Sequence, residues 1–328
     1  MKELTQLSNQ LIENTKAFQV FNALMLSKHI EEAEIKIYWD IILLQSSCDP
    51  KLRKALLILD NKTKEKYNSV FFQDLSLLQY FTQAIQRIVD EIISLKKGIR
   101  FDLEDLSLIT SLSQSGIKKN QTIGIIGDSV SFGLKSDFNY GQYIQKATGA
   151  MIKNLAISGA HLCDNGYNSI YQQSVRLDTS DLCIFQTTDD DWLANVPIGS
   201  KQDLPHESYI GAFYHTIEQL KRKQKKIMIL TPTLQSPVKG DRVRRTDKSK
   251  NKLGYDLHDY VTAVRAACQD LTLPLVELMT AKLFNPADQT FRKNVMPDGL
   301  HPNSKGHKII AKEIAKVYQT DLQKKSSD

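Results

Sequence analysis

Apolar residues recur along the chain at two different periods. Up to about residue 117 the spacing is helical. Leu7, Leu11, Phe18 and Phe21–Leu24 form one stripe, and Leu75, Leu78, Phe81, Ile85, Ile88 and Ile92 form another. Asp49-Pro50 marks a break, because proline restricts the residue before it and suits a first helical turn. The polar run Asn61–Lys64 marks a second break, and Gly98 with the polar stretch Ser111–Asn120 closes the region. Residues 1–117 therefore read as an all-α domain of three or four antiparallel helices. No chemical motif appears in it, and its histidine, His29, fits a solvated face. Docking to a protein partner or homo-oligomerisation is the role left open for it.

From Gln121 the pattern changes. Short β-rich runs at Thr122–Ile126, Met151–Leu155, Leu182–Phe185, Ile227–Leu230 and Leu273–Val276 alternate with helical segments such as Tyr209–Lys223 and Leu257–Gln269. Five strands alternating with helices predict an α/β domain over residues 118–328, built on a parallel sheet covered on both faces. Ligands of such sheets sit beyond the carboxyl ends of the strands, so residues that carry chemistry should follow strands directly.

Composition narrows the function classes. The 328 residues suffice for two domains, which commonly run to about 100–200 residues each. The net charge of +6 is concentrated in Lys221–Lys226 and Lys239–Lys252. No aromatic residues interleave the second of these segments, as a single-strand nucleic-acid platform would need, so nucleic acid is not an expected partner. No window approaches about 18 uninterrupted apolar residues, so no membrane span is expected. The first residues lack the pattern of a secretory signal, and Cys48, Cys163, Cys183 and Cys268 have neither CxxC nor metal-ligand spacing. Free thiols and a cytoplasmic location are the expectation.

Two short motifs carry candidate chemistry. The first strand runs into Gly127-Asp128-Ser129-Val130-Ser131, where glycine permits a sharp turn that presents Ser129 at the sheet edge. Pro297-Asp298-Gly299-Leu300-His301-Pro302 precedes the last helix. An Asp three residues before a His in a Gly/Pro-bounded loop places both on one short turn. A serine nucleophile needs such a base and an orienting carboxylate. Either motif alone is an ordinary turn or surface pair.

Together, and in this order, they resemble the SGNH (GDSL-type) hydrolase family over about residues 121–318. Asn154-Leu155-Ala156-Ile157-Ser158-Gly159-Ala160 is similar to that family's second block. The resemblance implies a flavodoxin-like three-layer α/β/α sandwich. It also implies Ser129 as nucleophile, His301 as base, Asp298 as the residue that orients it, and an oxyanion hole formed by the N–H groups of Ser129 and Gly159. It implies an ester hydrolase acting on a small acyl group such as acetyl, on a carbohydrate or similar alcohol, with neither metal nor cofactor. A transferase using the same acyl-enzyme would share these motifs.

The third block departs from the family pattern. Where the family has Gly-x-Asn-Asp, this chain has Thr187-Thr188-Asp189-Asp190-Asp191-Trp192. Alignment on Trp192 places Asp190 at the asparagine position, and alignment on the first acidic pair places Asp189 there. An ionised carboxylate donates nothing to an oxyanion, and losing one donor commonly costs about 10²–10³ in rate. Adjacent, partly buried carboxyls raise one another's pKa, so a neutral Asp donor is one resolution. A catalytically weak or inactive binding protein that uses the pocket for a ligand and the helical domain for a partner is the other. His161 and Trp192 are further candidates for the pocket wall, with surface and core positions as their plainer roles. Cys163 reads as a packed residue. Arg242, Arg244 and Arg245 lie in a long polar connection of the kind that covers sites or attracts an anionic substrate, with a solvated loop as the plainer reading.

Overall fold

The computed structural model describes residues 106–165, 169–237 and 246–323. Contacts divide the chain into two units, Met1–Arg100 and Phe101–Asp328, and all described residues belong to the second. The helices expected before residue 106, with His29 and Cys48, lie outside the described residues. So do Arg242, Arg244 and Arg245.

The second unit is an α/β domain. Helix α1 (Leu106–Gln114) precedes β1 (Thr122–Ile126), α2 (Ser129–Phe132) and α3 (Tyr140–Thr148). Strand β2 (Met151–Asn154), α4 (Ile170–Arg176), β3 (Leu182–Gln186) and α5 (Asp190–Leu193) follow. The remainder is α6 (Tyr209–Lys221), β4 (Ile227–Leu230), α7 (Leu257–Asp270), β5 (Leu275–Val276), α8 (Gln289–Val295) and α9 (Ser304–Val317). The strands are parallel in the order β2-β1-β3-β4-β5, so the chain reverses direction across the sheet between β1 and β3. In a doubly wound sheet that is the point where a ligand crevice opens.

Period-two alternation assigns each face. Ile123, Ile125, Leu182, Ile184, Met228, Leu230 and Val276 share one apolar core with Leu108, Leu112, Tyr143, Ile144, Ile310 and Ile314. These side chains come from α1, α3 and α9. Pairs such as Ile123–Leu182 and Ile125–Ile184 stand in register on neighbouring strands. The opposite face packs on α4 and α6: Phe185 stacks on Phe213 with ring centroids 5.5 Å apart, and Gly124 leaves room for Leu177. Every residue of β3 and β4 is buried, which explains why both read as continuous apolar runs. Strand β2 is an edge, and it carries Lys153 and Asn154 beside a half-exposed Met151.

Two boundaries differ from the sequence pattern. Helix α1 falls within the range assigned to the helical region, yet Leu108 and Leu112 are fully buried in the core of the α/β domain. The fifth strand begins at Leu275 rather than Leu273, because the amide of Leu273 is taken by the end of α7 through the carbonyl of Cys268. Thr272, in the left-handed region at φ 53°, makes that turn.

Candidate active site

The first strand delivers Ser129 through a turn that only glycine fits. At Gly127 a Cβ would approach Ser131 Oγ to 2.7 Å and Gln186 Cβ to 3.0 Å, and φ is 157°. Gln173, buried on α4, grips this peptide from both sides. It accepts from Gly127 N–H at 2.8 Å and donates to Gly127 C=O at 3.0 Å. Asp128 then caps α2 by accepting from Val130 N–H at 2.9 Å. Ser129 follows as the first helical residue, only 7% exposed.

The last loop is built to meet it. Asp298 Oδ1 accepts the N–H groups of Leu300 at 3.0 Å and His301 at 2.7 Å, closing a turn around Gly299 at φ 76°. Asn303 caps α9 just beyond and also donates to the carbonyl of Asn294. The result is a series of hydrogen bonds: His301 Nδ1 lies 2.7 Å from Asp298 Oδ2, and His301 Nε2 lies 3.0 Å from Ser129 Oγ. Burial pushes the Asp298 carboxyl up, but the His301 ring and the two amides outweigh it and hold the group down at about 2. Asp298 is thus a carboxylate throughout the neutral range. Hydroxyl, imidazole and carboxylate in this order can activate an oxygen nucleophile.

The second loop is joined to the first. Ile157 N–H donates to Gly127 C=O at 3.1 Å, and Asn154 bridges the carbonyl of Ser131 and the amide of Ala156. Gly159 sits two residues on, at φ 75°. The amides of Ser129 and Gly159 donate to no acceptor among the described residues, which leaves both as candidate donors to an oxyanion.

The third block closes the site with acid. Oxygens of Asp128, Asp189 and Asp190 lie within 4.8 Å of one another. Burial first, then the charge of Asp189, pushes Asp128 up to about 7. Asp190 is raised well above the ordinary carboxylate range by burial, then by Asp189 and Asp128. Asp190 accepts from Thr188 Oγ1 at 3.1 Å, and Asp189 accepts from Gln235 Nε2 at 2.7 Å. Three carboxylates are a ligand set for a hard cation. Shared protons fit the same cluster, and serine–histidine chemistry needs no ion there.

Of the other sequence candidates, Trp192 is 2% exposed and its indole N–H donates to the carbonyl of Tyr255, which makes it a core residue rather than an open pocket wall. His161 is half-buried beside Asp191. Cys163 is buried, its thiol pushed up to about 12 by burial and by Asp191. Two residues, Gln173 and Gln235, had no motif to mark them, and Asp191 lay in the third block without a role read for it. Each acts through a partner distant in sequence, so no local spacing signals it.

An α/β domain with a Ser–His–Asp series at the carboxyl edge of a parallel sheet defines a hydrolase-type fold. The profile of the GDSL-like lipase/acylhydrolase family matches residues 125–309, and the chain belongs to this family. No curated protein matches the chain. One solved crystal structure is 24% identical with a TM-score of 0.55, covering 60% of this chain and 95% of its own. A protein from Lactobacillus plantarum is 18% identical with a TM-score of 0.52, covering 61% and 96%. The acetylxylan esterase Axe2 from Geobacillus stearothermophilus is 16% identical with a TM-score of 0.42, covering 62% and 95%. The first two of these structures share the fold of the α/β domain.

Proposed function

We propose that the chain is a serine ester hydrolase that works through an acyl-enzyme on Ser129. The observation that carries this reading is the unbroken series Ser129–His301–Asp298, at 3.0 Å and 2.7 Å. His301 Nε2 takes the hydroxyl proton as Ser129 Oγ attacks the ester carbonyl carbon. The amides of Ser129 and Gly159 receive the negative oxygen. His301 then returns the proton to the departing alcohol, and water repeats the sequence to release the acid. Asp298, held as a carboxylate, stabilises the imidazolium and fixes its Nδ1 proton.

A small acyl group, acetyl in the first instance, fits the restricted access to Ser129 and His301, whose side chains are largely covered. A carbohydrate or similar alcohol is the leaving group we favour. The N-terminal region would serve docking or self-association.

The test needs no knowledge of the substrate. A fluorophosphonate probe should label the wild-type chain, and Ser129→Ala should abolish labelling while preserving the fold. Hydrolysis of p-nitrophenyl acetate should exceed that of the longer p-nitrophenyl esters. A folded wild-type chain that neither takes the probe nor hydrolyses the acetate would favour a ligand-binding role.

A further inference from the structure

The family's third block supplies an amide, whereas this chain supplies carboxyls. A side-chain amide from outside all four motifs nevertheless bonds to one of those carboxyls. Gln235 follows β4, is 5% exposed, and directs Nε2 to Asp189 Oδ2 at 2.7 Å. We propose that Gln235 donates the side-chain hydrogen bond to the oxyanion, with Asp189 as the acceptor that holds its amide in place. This rests on the ester-hydrolase reading and assigns one more residue to the same site.

Four observations support it. First, an ionised carboxylate has no proton to give, while a glutamine amide nitrogen has two and the described residues take one of them. Second, Gln235 Oε1 has no hydrogen-bond partner among the described residues, so the bond to Asp189 is what orients the amide head. Third, the backbone beneath it is tied to its own loop and to the turn that carries His301. Gln235 N–H donates to Asp247 Oδ1 at 3.2 Å, and Ser236 N–H donates to the carbonyl of Gly299 at 3.0 Å, inside the Asp298–His301 turn. Fourth, Asp189 is within 4.8 Å of the carboxyl of Asp128, whose chain neighbour is Ser129.

The chemistry balances without a proton transfer at Gln235. As Ser129 Oγ bonds to the carbonyl carbon, the C=O π pair moves to oxygen, and that oxygen accepts N–H bonds from Ser129, Gly159 and Gln235. When the C=O bond re-forms and the alcohol leaves, those bonds weaken again. Asp189 is a positioning residue in this scheme. It replaces a direct donor with an acceptor that recruits one from the next loop.

The experiment compares Gln235→Met, Gln235→Ala, Asp189→Asn and Asp189→Asn/Gln235→Met on p-nitrophenyl acetate, with thermal melting as the check on folding. Gln235→Met keeps the length of the side chain and removes its donor. It should lower kcat by about 10²–10³-fold with KM little changed. Asp189→Asn restores a donor at the third block itself, so the double variant should recover at least about tenfold over Gln235→Met. A loss of less than about threefold in folded Gln235→Met or Gln235→Ala would overturn the inference and move the donor to a protonated Asp190. A loss that Asp189→Asn does not relieve would overturn it as well, leaving Gln235 a packing role. If the wild-type chain hydrolyses the ester and is labelled at Ser129 while Gln235 proves dispensable, only this inference fails. If the wild type does neither, the hydrolase reading fails and takes this one with it.

Discussion

Asp191, without solvent exposure, accepts the backbone N–H of Leu162 at 2.5 Å and that of Cys163 at 2.9 Å. It ties the start of α5 to the loop that carries Gly159. Burial raises its carboxyl above the ordinary range, against the pull of His161 and the two amides. The buried carboxyl is therefore satisfied by a small, specific set of protein donors rather than by water.

Asp191→Ala should orphan both amides. Each buried donor left unpaired costs about 1–3 kcal/mol, so urea unfolding should show a loss of about 2–6 kcal/mol. Where the variant is still folded, kcat should fall more than KM rises, because the Gly159 amide loses its support.

Asp298→Asn leaves an oxygen that can accept from His301 Nδ1 but removes the charge that stabilises an imidazolium. We expect kcat to fall by about 10²–10⁴-fold with KM within about threefold. In the wild type the carboxyl sits at about 2, so its contribution to stability is complete above about pH 4. That contribution is lost only as the pH falls through about 2. The acid limb of a kcat–pH profile measured above pH 4 will therefore not titrate Asp298.

The carboxyl cluster that Asp128 forms with the third block has the opposite sign. Asp128 lies at about 7 and Asp190 is raised too, so between about pH 4 and pH 7 the folded chain binds more protons than the unfolded one. Stability should fall as the pH rises through this window. Asp128→Asn keeps an oxygen for the Val130 amide and has nothing to ionise. Its melting temperature should drop by several degrees less than the wild type's between pH 5 and pH 8. Parallel slopes for the two proteins would refute the raised carboxyl.

Gly127→Ala places a methyl group against Ser131 Oγ and Gln186 Cβ at a backbone angle that L residues avoid. Neither neighbour is free to yield, since Ser131 Oγ bonds to both Tyr140 and Gln186. We expect a loss of about 1–3 kcal/mol and a fall in fluorophosphonate labelling, as Ser129 shifts away from His301.

Much of this domain was legible in one dimension. Period-two and period-3.6 patterns located β1 and β4 to the residue, and β3 to within one, because burial on both faces forces unbroken apolar runs. Ser129, Asp298 and His301 were singled out by the order of two motifs that together resemble a known family, each motif alone being an ordinary turn or surface pair. Less legible were α1 and the start of β5. Helical periodicity reports that Leu108 and Leu112 are buried but not against which partner, and the amide of Leu273 was claimed by the preceding helix.

The amino-acid sequence by itself determined the α/β alternation, the order of the motifs and the identity of the groups that meet at the sheet edge. It also exposed the acidic third block as a departure from the family pattern. Only the tertiary structure decided how that block is accommodated. Asp191 turns to the 162–163 amides, Asp189 to Gln235 46 residues away, and Gln173 to the peptide of Gly127. Buried polar groups must find partners wherever the fold brings them, and such pairings have no period along the chain.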